Sequence, residues 1–442
     1  MGFAAPLVSF PCRCLVIGAL WICCTVPCEA GLLDYVKAPD KAFSWKLTEK
    51  KVSEQGTIFD IHLVSQVWHD IKWEHQLQIY QPKGVEPNAT MLIYNTGGGA
   101  NPGNIAFGMT LAKKVKAPVA FLYNIPNQPL LGDKKEDTLI AETFVRYLDT
   151  KDDTWPLLFA MVKSVVKSMD ALQEFAKEEW KMPIKGFIIS GASKRGWTSW
   201  LTGAADPRVV AIAPLVIDTL NMAKQMDYQK ESFGDYSEQV EDYTKRKLVP
   251  MPKTPEARKL WEMVDPLFYT EKLTMPKFLI NGNNDPYWTT DALNLYWGEL
   301  KGNKYVCYVP NAGHDLKQTM SGQEDRSRAI NSLAAFARTI ITGKSLPKLE
   351  WKHETVDGKF RLTVDSSAPP KSARLWVAEA PTRDFRLFPW KEQAVKVDKN
   401  KVIGFVDAPK SGCLAFYGDL EYEIDGIPYH LCTQIRIVGK PK

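Results

Sequence analysis

Cysteine is scarce beyond the first thirty residues. Of eight in the chain, Cys12, Cys14, Cys23, Cys24 and Cys28 crowd the amino end, and only Cys307, Cys413 and Cys432 follow. Three thiols in so long a polymer exclude a small disulfide-built scaffold. There is no HExxH, no paired CxxC, no P-loop and no GxGxxG opening a helix, so neither metal nor nucleotide cofactor is expected. The net charge is only +5 and no long basic run occurs, which gives no reason to expect nucleic acid as a partner. After residue 30 no segment is apolar enough to cross a membrane, and stable membrane insertion is not expected. Internal repeats and low-complexity tracts are also missing.

The first thirty residues are unlike the rest. Cys14 to Val26 is almost wholly apolar, Arg13 precedes it, and Cys28-Glu29-Ala30 supplies small residues where a signal peptidase reads. Residues 1–30 therefore read as a secretory signal peptide cleaved near Ala30, because the run is short for a membrane anchor. A secreted, extracellular product is the expectation. In that setting Asn88-Ala89-Thr90 is an N-glycosylation sequon, placed in a turn-like stretch after Pro87. Cys413 and Cys432 both lie in strand-like segments and could pair as a disulfide. Cys307 sits in the apolar run Tyr305 to Val309 and reads as a buried structural thiol.

With 442 residues, two domains are the natural division. Alternation from Ile58 to Tyr80, broken at His69-Asp70, predicts an antiparallel hairpin at a sheet edge. Buried-strand runs at 91–94, 118–123, 184–189, 209–217, 277–280 and 305–309 then alternate with helical patterns. Those patterns cover 106–115, 137–148, 155–177 (with Asp153-Thr154 as its cap), 290–300 and 324–342. Such alternation predicts a mainly parallel sheet covered on both faces, an α/β class spanning 31–346. Within it, residues 221–272 are polar, rich in Tyr, Lys and Glu, and read as a helical lid or as a plain surface excursion. From 347 to 442 short alternating strands and turn residues predict a small immunoglobulin-like β-sandwich.

The chemistry starts at Gly191-Ala192-Ser193-Lys194-Arg195-Gly196, directly after a strand. A strand that breaks at glycine, presents a serine and enters a helix is the nucleophile elbow of serine hydrolases. The usual G-x-S-x-G is not met, because Arg195 stands where the second glycine belongs and Gly196 follows. Context supplies the missing weight. A serine nucleophile needs a base and an acid that orients it, in the chain order Ser, Asp or Glu, His. The strand at 277–280 opens into Asn281-Gly282-Asn283-Asn284-Asp285, and the one ending at Val309 opens into Pro310-Asn311-Ala312-Gly313-His314. His314 is the only histidine between His75 and His353. Asp285 leads over Asp218 and Asp291 because it occupies the expected loop.

An oxyanion would need two aimed amides: the N–H of Lys194, and one from Asn95-Thr96-Gly97-Gly98-Gly99, where Gly97 or Gly98 could turn its amide inward. The side chains of Lys194 and Arg195 could attract an anionic or carbohydrate substrate, or could simply face water. Trp288, with Trp155, Trp197, Trp200 and Tyr287, flanks the site in sequence and suits sugar or peptide binding, or core filling.

These strings together resemble the family of PhoPQ-activated pathogenicity-related proteins, whose eukaryotic members include secreted autocrine proliferation repressors. The resemblance rests on the Asn95–Gly99 loop, Gly191 to Thr198, Asn281–Asp285 and Asn311–His314. It implies an α/β-hydrolase-like fold, secretion and, for the repressor branch, a signal that slows proliferation. Some carbohydrate esterases share the G-x-S-x-x-G departure.

The reading that follows is a secreted hydrolase with a Ser193–His314–Asp285 triad. It would act on a small-molecule, glycan or peptide ester or amide through an acyl-enzyme. The rival is a non-catalytic secreted factor that represses proliferation by binding a cell-surface receptor. A third is a carbohydrate-binding module without chemistry.

Overall fold

The computed structural model describes residues 1–2, 31–320 and 323–441. The leader expected at 1–30 therefore lies, but for its first two residues, outside the described residues. Nine strands build the main sheet: β1 (Ser44–Ser53), β2 (Gly56–Trp68), β3 (Ile71–Pro82), β4 (Thr90–Asn95), β5 (Val119–Leu122), β6 (Gly186–Ala192), β7 (Val209–Leu215), β8 (Lys277–Gly282) and β9 (Lys304–Val309). They lie in the order β1-β2-β3-β5-β4-β6-β7-β8-β9. The first three run antiparallel, and pairing is parallel from β5 across to β9. The hairpin turns on His69 and Asp70, both at positive φ, where the alternation breaks. β1 was not read from the sequence because its residues are mostly exposed and carry little apolar signal.

Helices α1 (Leu32–Lys37), α2 (Pro102–Val115), α3 (Glu136–Thr150), α4 (Leu157–Phe175) and α5 (Lys194–Ala205) are joined by three in the 221–272 insertion. Those are α6 (Met222–Phe233), α7 (Glu241–Lys245) and α8 (Pro255–Val264), and α9 (Ser327–Ile341) comes last. α1, α3, α4 and α5 pack on one face of the sheet, while α2 and α9 pack on the other. That double covering explains why β4 to β9 read as continuous apolar runs.

Two local expectations are corrected. α4 begins at Leu157 with Pro156 before it and no side-chain cap, so Asp153-Thr154 belongs to a preceding turn in which Thr154 N donates to Asp152 Oδ1 at 2.9 Å. The helix expected at 290–300 is two short 3₁₀ turns, Ala292–Leu295 and Trp297–Glu299.

A small hairpin, β10 (Gln318–Met320) and β11 (Gln323–Asp325), precedes α9. The carboxyl-terminal part then consists of β12 (Leu349–Val356), β13 (Lys359–Ser366), β14 (Ser372–Ala380), β15 (Lys391–Ala394), β16 (Lys396–Asp398), β17 (Lys401–Asp407), β18 (Gly412–Ile424), β19 (Ile427–Cys432) and β20 (Arg436–Lys440). One sheet is β12-β13-β17-β16; the other is β15-β14-β18-β19, with β20 also along β18. Their facing residues, among them Leu362, Val364, Leu375, Phe416 and Leu420, form the sandwich core.

The expected disulfide does not form. Cys432 pairs in register with Asp419, six residues along β18 from Cys413. Six strand residues span about 20 Å, far beyond the reach of a bridge. Cys307, Cys413 and Cys432 are all buried free thiols.

The sandwich is fastened to the first domain by a buried ion pair and a loop. Arg328 of α9 meets the fully buried Asp419 of β18 at 2.7 Å, and His430 Nδ1 meets the same carboxylate at 2.9 Å. Burial alone would raise the Asp419 carboxyl; Arg328 and His430 instead hold it well below the usual range. The loop between β14 and β15 reaches back over the main sheet. Asn284 Nδ2 lies 2.9 Å from the carbonyls of both Phe385 and Phe388. Asn311 exchanges two hydrogen bonds with the Trp390 backbone. Asn284 and Asn311 sit on the two loops after β8 and β9, so the second domain holds both in place.

Candidate active site

β6 is buried along nearly its whole length, and at its carboxyl end the chain turns sharply into α5. Ser193 sits at that corner with φ 57° and ψ −126°. This backbone conformation is costly for a residue with a Cβ and persists only where the surroundings impose it. Two glycines do so. A Cβ on Gly191 would come within 2.8 Å of the Arg195 Cβ, and one on Gly196 would meet Ile217 Cγ2 at 2.6 Å and Gly191 O at 3.0 Å. Helix and strand therefore touch at Gly196. The close approach has moved one residue along, and position 195 is free to carry a long side chain.

That side chain is not turned to a substrate, which corrects the expectation for Arg195. Its guanidinium is buried, donating from Nε to Ile125 O at 2.5 Å and from both terminal nitrogens to Glu136 at 2.7 Å. It lies directly against the glycine-rich loop, since a Cβ on Gly97 would fall 1.6 Å from one of its nitrogens. The Lys194 ammonium is likewise taken up, 2.7 Å from Asp137 and 3.3 Å from Glu136. Burial would raise the Glu136 carboxyl, but its bonds to Arg195 hold it at about 2. The dibasic pair thus ties the elbow to the start of α3. Glu136 and Asp137 carried no signal in the sequence because their partners lie about sixty residues away. The Lys194 amide remains an N-terminal helix N–H, which has no partner within its own helix.

The loops after β8 and β9 are zipped together. Asn283 N donates to Val309 O at 3.1 Å and Asn284 N to Ala312 O at 3.0 Å. A Cβ on Gly282 would strike Gly313 O at 2.4 Å, so only glycine admits the histidine loop here. Asp285, almost fully buried, accepts at 2.7 Å from His314 Nδ1 through Oδ2 and at 2.8 Å from Tyr287 N through Oδ1. The Tyr287 ring stacks on the imidazole at 4.2 Å between centroids. With Nδ1 held by the carboxylate, His314 Nε2 is left buried and without a partner. It is not hydrogen-bonded to Ser193; such links are often open in ligand-free sites and tighten on binding.

The rival acids are engaged elsewhere. Asp291 takes Tyr228 at 2.8 Å and Arg383 at 3.2 Å. Asp218 takes Asn281 at 2.9 Å and the Tyr296 hydroxyl. Burial, with the charge of Asp285 adding to it, pushes Asp218 up to about 7 from the ordinary 3.8. The folded state therefore holds a proton there that the unfolded chain has released, and stability falls as pH rises through that interval. Asp218→Asn is expected to flatten the decline in Tm between pH 4 and pH 7, as thermal unfolding at several pH values would show.

Ser193 and His314 border different spaces. Ser193 stands in the wall of an apolar cavity roofed by the insertion, with Trp288 among its lining residues. His314 borders a wider cleft together with Thr96, Asn104 and Asp315. The insertion therefore does cover the carboxyl edge of the sheet.

Strand order, the elbow after β6, and acid and histidine loops after β8 and β9 define an α/β-hydrolase fold, here followed by an immunoglobulin-like sandwich. Within that class the chain belongs to the family described as PhoPQ-activated pathogenicity-related protein, which matches residues 32–386. It is 34% identical over 379 residues to autocrine proliferation repressor protein A of Dictyostelium discoideum, covering 80% of this chain and 75% of that one. Among solved structures it is similar to acetyl xylan esterase 1 from Thermoanaerobacterium sp. JW/SL YS485, with TM-score 0.49 and 15% identity over 70% of this chain and 91% of that one. A glucuronoyl esterase from Solibacter usitatus gives TM-score 0.42 and 11% identity over 63% and 83%. Among the described residues no helix is long and apolar enough to cross a membrane.

Proposed function

We propose that the chain is a serine hydrolase that cleaves an ester or amide through an acyl-enzyme. His314 Nε2 takes the Ser193 proton as Oγ attacks the carbonyl carbon, and the amides of Lys194 and of Gly97 or Gly98 receive the oxyanion. The carbonyl re-forms, the bond to the alcohol or amine breaks, and His314 returns the proton to that leaving group. Water, activated by the same nitrogen, then releases the acid and restores Ser193. Asp285 fixes the tautomer that leaves Nε2 free to accept.

The observation that supports this most is the 2.7 Å Asp285–His314 bond, with the opposite ring nitrogen unpartnered, in one fold with a strained serine corner. A fluorophosphonate probe tests it. The wild-type protein should be labelled stoichiometrically and Ser193→Ala not at all; an unlabelled wild type would overturn the reading.

The identity to a proliferation repressor favours a second role, a secreted signal that slows cell growth through a surface receptor. Ser193→Ala protein added to cells separates the two: undiminished repression would place signalling outside the catalytic centre. Export rests on residues 1–30, and amino-terminal sequencing of the released chain should begin near Gly31. Asn88 lies two residues before β4, at the end of the sheet opposite the serine, so a glycan there would leave the site open.

A further inference from the structure

Resting on the hydrolase reading, we propose that the cavity beneath the insertion is the acyl pocket, and that it takes a short, uncharged acyl group of about two to four carbons. The leaving group would occupy the wider cleft beside His314.

Around Ser193 the cavity wall is built from Trp197, Ile217, Met222, Met226, Val240 and Trp261. Charged groups do border it, but they are spent on one another: Lys194 pairs with Asp137 at 2.7 Å, and Tyr243 donates to Asp137 at 3.0 Å. Two buried polar atoms of the lining residues have no partner, Thr219 Oγ1 and Trp288 Nε1. Both are neutral. An acyl group carrying a carboxylate would lose its water there and find no free cation to replace it, so it is disfavoured.

Size sets the length. The cavity measures about 40 Å³. One water needs roughly 10–15 Å³ on that measure, so the space holds about three water-sized groups. An acetyl to butyryl chain fills it, whereas an octanoyl chain needs a wall to move. The yielding walls are Met222 and Met226, which are unbranched and repack more readily than the tryptophans. The cleft on the other side, about 480 Å³ and bordered by Thr96, Asn104, His314 and Asp315, has room and polar atoms for a much larger alcohol. In the balanced reaction the acyl carbon stays on Ser193 Oγ, while the alcohol departs on the side from which His314 returns the proton.

The test compares p-nitrophenyl acetate, butyrate, octanoate and hemisuccinate on the full-length protein. Acetate and butyrate should exceed octanoate and hemisuccinate at least tenfold in kcat/KM. Met226→Ala should raise octanoate turnover about tenfold relative to acetate. Equal or better turnover of octanoate or hemisuccinate by the wild type would overturn the assignment, as would an unmoved chain-length profile in a folded Met226→Ala protein. Binding to Ser193→Ala gives a readout that needs no chemistry. Butyramide should produce a saturable change in tryptophan fluorescence, from Trp197, Trp261 and Trp288, that succinamate does not. Saturable butyramide binding in a protein that hydrolyses none of the esters would sink the hydrolase reading and leave the pocket standing. Hydrolysis without chain-length or charge preference would do the reverse.

Discussion

Asp285→Asn is expected to leave the protein folded and to lower kcat/KM by about four orders of magnitude, on the scale of tautomer loss in serine proteases. The reason lies in which atoms Asp285 touches. Its Oδ2 accepts from His314 Nδ1 and its Oδ1 from the Tyr287 amide. An asparagine that keeps its oxygen toward Tyr287 N presents an NH₂ to Nδ1. That imidazole nitrogen must then accept, and the proton moves to Nε2. The base has lost its lone pair at Nε2, the ring nitrogen that has no partner. Tyr287 stacking would still hold the ring in place, so geometry survives while function fails. Steady-state kinetics on whichever ester turns over best, with a Tm beside it, separates this from unfolding. A fall below tenfold at unchanged Tm would remove Asp285 from the mechanism. Asp218→Asn serves as the contrast: it bonds Asn281 and Tyr296 rather than His314, and its kcat/KM should stay within a few fold.

Much of this site was legible because hydrolase chemistry is punctuated by glycines and loops at strand ends. The Gly191–Gly196 corner, the Asn281–Asp285 loop and the Asn311–His314 loop each follow an apolar run, and β6, β8 and β9 end within three residues of those runs. What the sequence hid is what joins distant segments. Arg195 read as a cation beside a nucleophile, free to meet substrate. Only folding brings Glu136, Ile125 and Gly97 around it. Cys413 and Cys432 looked matched because both lie in strands, yet register places Asp419, not Cys413, across from Cys432. Strand identity is local, but register is not. The loop from the sandwich that grips Asn284 and Asn311 was hidden for the same reason, since its partners lie 79 to 104 residues away in the chain.

Gly97→Ala is expected to damage both the glycine-rich loop and the elbow it leans on. The new Cβ would lie 1.6 Å from an Arg195 nitrogen and 2.1 Å from its guanidinium carbon. No side-chain adjustment absorbs that overlap while both terminal nitrogens remain on Glu136. Either the glycine loop shifts outward or the guanidinium leaves its partner. A shift of the loop carries the amides of Gly97 and Gly98 away from the developing oxyanion, which costs about 10²–10³ in kcat when one donor is lost. Loss of the partner leaves a buried charge uncompensated, worth roughly 3–5 kcal/mol of stability. The two routes are told apart by a second substitution. Arg195→Ala alone should destabilise, because it removes the two-pronged partner of Glu136 and leaves that carboxylate to Lys194 and Gln128. In the double variant Gly97→Ala/Arg195→Ala the collision is gone, so its stability should match that of Arg195→Ala rather than the sum of the two losses. Additive losses in Tm would mean that the loop and the guanidinium do not press on each other. Sub-additive losses, with kcat restored relative to Gly97→Ala, would establish Arg195 as the brace that sets the oxyanion loop against the serine corner.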